Sequence, residues 1–422
     1  MENPTVDKVP TAGCPFHGLE ALPADGTLLH PSPALAELRS SARATPLKYT
    51  GDHVGWFVTD YELAKRVLED SRLGIHSERV PASSGESTNA ELDDDVVASL
   101  LDADAIESLA VSNVLNLNSP QHEKMRRAMT GRFMVKAVRG REPAIREIVQ
   151  RQLQRLQGHD RPVDITTEYA LPISAHVHCL ALGVPDGLID SYVRIYNDEP
   201  EAADQTDFVR AVQEQFDLVR TVLEEKRRDL SGDALSDLLR AGLTDRETEG
   251  AAWILMSVGR DNVARMISTM TVALLENPEQ LAILRDDPTL VPGAVEEIVR
   301  YGSPFVGLFV RTAIEDADID DLHIDAGQSV TVSAVAANRD PKRFEHPDDF
   351  DVTRDAFGHL GFGFGAHSCV GQQLARVEIR LAIEALILGI PSLRLVSAAQ
   401  LEPMPFAHPV GMHDTGSVVV EW

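Results

Sequence analysis

The residues with the clearest chemical potential are Phe362-Gly363-Phe364-Gly365-Ala366-His367-Ser368-Cys369-Val370-Gly371, a glycine-rich loop around the last cysteine that opens into the helical pattern Gln372-Gln373-Leu374-Ala375-Arg376-Val377-Glu378. Glycines let a backbone pass close to a large flat ligand, and the amides and positive helix end that follow Cys369 stabilise an anionic sulfur. A thiolate bound to a metal suits this arrangement, and haem iron is the natural candidate. The competing reading is a buried cysteine acting as a small apolar side chain at a turn.

The loop resembles the cysteine loop of the cytochrome P450 superfamily, F-x-x-G-x-[HR]-x-C-x-G, with Phe362, Gly365, His367, Cys369 and Gly371 in register. The resemblance implies haem b with Cys369 as its axial thiolate. It also implies a mainly helical fold with a smaller β-rich part, the haem lying between a long central helix and the cysteine-loop helix. The implied activity is O2- and reductant-dependent oxidation, in this case hydroxylation of a small organic, secondary-metabolite substrate.

Further stretches match the family in order. His122-Glu123-Lys124-Met125-Arg126 fits its H-x-x-x-R pattern, which assigns His122 and Arg126 to the haem propionates, and Arg311 matches a second propionate arginine. Gly307 and Phe309, on the extended stretch before Arg311, then border the substrate pocket, a simple buried strand being the alternative. Glu297 and Arg300 stand at i and i+3 on one helical face, ordinarily a surface ion pair. The resemblance instead joins them with Arg354 in a buried structural triad.

Val258-Gly259-Arg260-Asp261-Asn262 aligns with the family's oxygen-activating stretch, [AG]-G-x-[DE]-T, and makes Asp261 and Asn262 the catalytic pair, with Ser257 and Val258 toward substrate. Asn262 departs from the usual threonine. Its amide donates a hydrogen bond but is a poor acid. Either a water anchored by Asn262 or a substrate hydroxyl then supplies protons. The ordinary alternative pairs Asp261 with Arg260 or Arg265 and leaves Asn262 in solvent. Two readings without oxygen insertion stand beside hydroxylation: oxidative coupling, desaturation or ring formation, and a haem-binding sensor or carrier that does not turn over.

These residues need elements to place them. Thr244-Asp245-Arg246-Glu247 is a capping-box sequence, and no proline follows until Pro278, which predicts one helix of about 30 residues with Asp261 and Asn262 as a polar pair at its buried middle. Trp56-Phe57-Val58 reads as a strand and Tyr61 to Leu68 as a helix. The polar stretch from Val80 to Asp104 reads as a loop able to cover a pocket, a surface excursion without substrate contact being the alternative, and the resemblance implies Tyr192 to Thr206 as another pocket contributor.

Composition frames the rest: 422 residues, 43% hydrophobic and 25% charged, describe a globular chain with a large core. No Gly/Pro/Ser-rich linker separates distinct halves, so a single domain over residues 1–422 is expected, with roughly the first 20 residues flexible. Cys14, Cys179 and Cys369 are too few for a disulfide framework, and neither Cys14-Pro15-Phe16-His17 nor His176-Val177-His178-Cys179 has paired zinc spacing. A cytoplasmic location without membrane anchor is expected. The formal net charge of −27 opposes nucleic acid and anionic membranes as partners. Yet Lys124, Arg126, Arg127, Arg132, Lys136, Arg139 and Arg141 form a basic run without an intervening acid. The resemblance gives that run to an acidic electron-transfer protein, a ferredoxin with its reductase or a flavodoxin; the alternative is a solvated helix face.

Overall fold

The computed structural model describes residues 18–23, 25–49, 53–75, 94–197, 205–304, 306–307, 309–399, 406–408, 412–413 and 416–422. Helices dominate, with small sheets beside them. By internal contacts the chain forms two compact units: Met1–Thr88 with Thr269–Cys369 and Leu393–Glu421, and Asn89–Ser268 with Val370–Ser392.

The first unit carries a five-stranded sheet. Its strands are β1 (Ala44–Lys48), β2 (Val54–Val58), β3 (Leu73–Gly74), β4 (Phe309–Ala313) and β5 (Ser329–Val332), in spatial order β1-β2-β5-β4-β3. Only the β2–β5 pairing is parallel, bringing Trp56 opposite Val330; Val330 also faces Arg311 of β4 across an antiparallel pair. β-branched and aromatic residues suit these strands because they pack on a pleated surface, here buried on both faces of the central strands, with Trp56 and Val58 in one core cluster and Phe57 and Val310 in another. The helix Tyr61–Glu69 lays Leu63, Ala64, Val67 and Leu68 against the sheet's core, and Asp60 caps it by accepting from the Leu63 amide at 2.9 Å.

The second unit is helical. Its elements include Gln121–Thr130, Val135–Gln157, Leu171–Leu182, Ile189–Asn197, Gln205–Arg228, Asp245–Ser257 and Gln372–Gly389. Phe216 stacks on Trp253 at 5.5 Å and nearly parallel, locking two of these helices. No helix among the described residues is long and apolar enough to cross a membrane.

The capping box forms: Thr244 Oγ1 accepts from the Glu247 amide at 3.2 Å and Glu247 Oε2 from the Thr244 amide at 2.9 Å. The helix it starts is not one of about 30 residues. It ends at Ser257, and a second helix runs Arg260–Glu276. Val258 is extended at φ −100°, ψ 135°, and Gly259 sits at φ +117°, a conformation open to glycine at little cost. The Val80–Asp104 expectation also needs correction. Residues 80–93 lie outside the described set, but Asp94–Leu100 is helical and Asp102 caps a further helix, Ala103–Ser112. Of Tyr192 to Thr206, residues 198–204 lie outside it too.

Candidate functional site

The cysteine loop is held by its own backbone. Gly363 donates to Leu360 O at 2.9 Å, Ser368 to Gly365 O at 3.1 Å and the Cys369 amide to Phe362 O at 2.8 Å. Gly363 and Gly365 lie at φ +69° and +71°. A Cβ on Gly365 would stand 2.6 Å from Leu68 O, so only glycine lets the loop lie against that helix end. Phe362 is half-buried with its ring 5.5 Å from that of His359, and His367 ends a short 3-10 turn. Gly371 precedes the 18-residue helix Gln372–Gly389.

Cys369 is exposed. Cys179 is its opposite: burial leaves it 1% accessible and pushes its thiol up to about 12. Of the described cysteines, only Cys369 is therefore suited to act as a thiolate ligand.

Arg311 lies on β4 in the same unit, 5% exposed. Its Nη1 donates to the neighbouring Val310 O at 2.9 Å, and burial pushes its guanidinium down to about 10. No carboxylate pairs with it among the described residues. A buried cation of this kind matches an anionic group such as a haem propionate. Phe309 packs against the core around Trp56, and Gly307 is buried in a bend. Phe305 and Leu308 lie outside the described residues.

Glu297, Arg300 and Arg354 meet in the first unit. Arg300 grips the carboxylate twice, Nε to Oε2 at 2.7 Å and Nη2 to Oε1 at 2.8 Å, while Arg354 Nε reaches Oε1 at 3.2 Å. The side chains of Glu297 and Arg300 are wholly inaccessible. Arg300 Nη1 also donates to Asn338 O and Pro347 O, and Arg354 to Glu345 O and His346 O. The cluster thus ties the helix Val291–Tyr301 to the loops around residues 338–354.

In the second unit, His122 and Arg126 share a face of Gln121–Thr130, four residues apart; His122 is buried and Arg126 half-buried. The basic run is partly neutralised. Lys124 pairs with Glu247 at 2.5 Å and Arg132 with Asp237 at 2.5 Å, while Arg141 donates to the carbonyls of Arg132 and Gly232. Arg127, Lys136 and Arg139 are exposed and make no ion pair among the described residues.

At the helix break, Asp261 is not one of a buried polar pair. Its Oδ1 accepts from Arg260 Nε at 2.7 Å with its side chain about one-third exposed, and Asn262 is exposed. Arg260 is buried and also donates to Tyr196 O. Ser257 Oγ lies 3.5 Å from Gln215 Oε1, and Val258 is exposed despite its apolar side chain. His178, weighed in the sequence only for zinc, Tyr192, read only as the start of a pocket segment, and Ser174, given no role, all reach this break with their polar atoms. A histidine and a tyrosine among apolar helical neighbours were the available signal.

The chain's residues 201–389 match the family model described as Cytochrome P450. It is 33% identical over 401 residues to Cytochrome P450 105C1 from a Streptomyces species, covering 93% of this chain and 95% of that one. It is also 33% identical over 370 residues to 6-deoxyerythronolide B hydroxylase of Saccharopolyspora erythraea, covering 85% and 88%. Among solved structures, mycinamicin VIII C21 methyl hydroxylase from Micromonospora griseorubida, bound to mycinamicin VIII, superposes with a TM-score of 0.82 at 29% identity, covering 96% of this chain and all of that one.

Proposed function

Because this chain belongs to the cytochrome P450 family and is a haem-thiolate monooxygenase, we propose that it hydroxylates a small secondary-metabolite substrate using electrons from a ferredoxin-type protein. The observation that carries the site assignment is the contrast between the exposed Cys369 in its glycine loop and the buried, high-pKa Cys179. When bound, haem supplies reductive activation of O2, one oxygen atom going to the substrate and the other to water.

The chain's own residues then bind and position. Cys369 supplies the thiolate; Phe362, His367 and Gly371 shape its loop; Arg311, His122 and Arg126 are the cations for the propionates. Asp261 is the carboxylate nearest the break, and Asn262 is assigned to holding a water there, which takes the place of a hydroxyl relay. Ser257, Val258, Gly307 and Phe309 are assigned to the substrate side. A single working domain is supported by the alternation of the two units' segments along the chain. A cytoplasmic location is supported by the acidic composition and scarce cysteines.

The substrate class is supported by the relatives whose names are those of hydroxylases of 6-deoxyerythronolide B and mycinamicin VIII. The test is a library screen for compounds that shift the Soret band, followed by turnover under 18O2. One labelled oxygen in the product is the expected result. Unlabelled coupled or desaturated product overturns hydroxylation, and no product with steady reduction favours a carrier. Run on Asn262→Ala, the same assay should show lower product per NAD(P)H; an unchanged yield removes Asn262 from proton delivery.

Electron entry is assigned to Arg127, Lys136 and Arg139, the exposed cations of the basic run that make no ion pair among the described residues. Arg127→Glu should slow reduction by an acidic partner about tenfold at low salt. The difference should vanish near 1 M salt, where the screening length is ~3 Å. Stopped-flow reduction rates measure it, and a rate independent of the charge at 127 rules the face out. Arg132 is a poor probe because reversing it also breaks its pair with Asp237.

A further inference from the structure

The helix break beside Asp261 is supported from outside its own helix. In an uninterrupted helix the carbonyls of Leu255 and Met256 accept from the amides of Gly259 and Arg260, four residues on. The extended Val258 and the positive φ of Gly259 take those amides off the helical path. Two side chains from other helices stand in. His178 Nε2 bonds Leu255 O at 2.7 Å, and the Tyr192 hydroxyl donates to Met256 O at 3.0 Å. A carbonyl only accepts, so the imidazole proton is on Nε2. Across the break, Ser174 Oγ donates to Arg260 O at 2.6 Å.

The geometry is tightly packed. The rings of His178 and Tyr192 stack at 6.1 Å and 21°, with Tyr192 fully buried. A Cβ on Gly259 would lie 3.2 Å from His178 Cε1, so the imidazole fills the space a side chain at 259 would need. Burial pushes His178 down to about 4, which keeps it a neutral donor at ordinary pH.

We propose that His178 and Tyr192 are positioning residues that hold the helix open at Val258–Gly259 by replacing its own amide donors, and so fix where Asp261 and Asn262 stand. The inference rests on the haem-monooxygenase reading for its consequence in turnover, but not for its structural content. An unpartnered buried carbonyl is costly, so with His178 removed the Gly259 amide recovers Leu255 O and the break closes.

The test uses the haem-loaded full chain and two readouts: amide hydrogen exchange resolved at Gly259 and Arg260, and product formed per NAD(P)H. In His178→Leu, exchange at Gly259 should slow about tenfold, and product per NAD(P)H should fall about fivefold, with the reduced carbon-monoxide spectrum retained. His178→Gln, which restores an N–H donor, should bring both within about twofold of the native protein. Exchange and coupling both unchanged in His178→Leu overturn the proposal, as does a folded His178→Gln that behaves like leucine. Should His178→Leu fail to bind haem, Tyr192→Phe decides by the same criteria, read at Arg260. A chain that makes no product from any substrate sinks the monooxygenase reading alone, since the exchange measurement needs no turnover.

Discussion

Cys369→Ala should leave a folded protein without the red-shifted Soret band of the reduced carbon-monoxide complex and with product formation down by at least ~10³-fold, about 4 kcal/mol of barrier. The side chain is exposed, and the Gly363–Leu360, Ser368–Gly365 and Cys369–Phe362 bonds run between backbone atoms that an alanine keeps, so its removal takes away the ligand and leaves those bonds in place. With haem bound, Cys369 would be the residue that donates electron density for O2 activation, and an alanine offers none. Cys179→Ala is the matched control: it removes a buried thiol from Leu171–Leu182 and should keep the band while costing modest stability. Absorbance of the reduced, CO-treated protein and product assay under saturating reductant decide the matter. A Cys369→Ala protein that kept the band would move the ligand elsewhere in the chain.

Glu297→Ala should give insoluble or haem-poor protein. The carboxylate is inaccessible and receives two bonds from Arg300, one from Arg354 and one from the Asp351 amide at 3.0 Å. Without it the buried Arg300 guanidinium loses its counter-charge while keeping only carbonyl partners, at a cost of about 3–5 kcal/mol. Against a total stability on the order of 5–15 kcal/mol, that loss is large. Glu297→Gln keeps the acceptor oxygen and the shape, so it should be milder. Soluble yield, haem-to-protein ratio and the urea midpoint measure the effect; a haem-replete alanine variant with an unshifted midpoint contradicts it.

The parts of the site legible in the sequence are those fixed by local rules. A capping box announces a helix start because both partners lie within one turn, and it forms between Thr244 and Glu247. Glycines around Cys369 announce a loop with positive φ because other residues pay for it. Arg354, by contrast, came only from resemblance, since nothing local links it to Glu297. The break at Val258–Gly259 was illegible because helical periodicity continues across it, and its stabilising donors sit 77 and 64 residues away in sequence. The same holds for the basic run: Glu247 and Asp237, which neutralise Lys124 and Arg132, lie 123 and 105 residues downstream.

The alternation of the two units along the chain has a consequence for biosynthesis. In the unit containing β1 and β2, the parallel partner of β2 is β5, Ser329–Val332, and the whole of Asn89–Ser268 from the other unit is made between them. A ribosome therefore releases the first strands of that unit long before their last partners exist, and folding behind the exit tunnel cannot finish unit by unit. Exposed strand edges during that interval make the nascent chain a client for chaperones, and its yield in a foreign host should depend on translation rate more than on the stability of the finished fold.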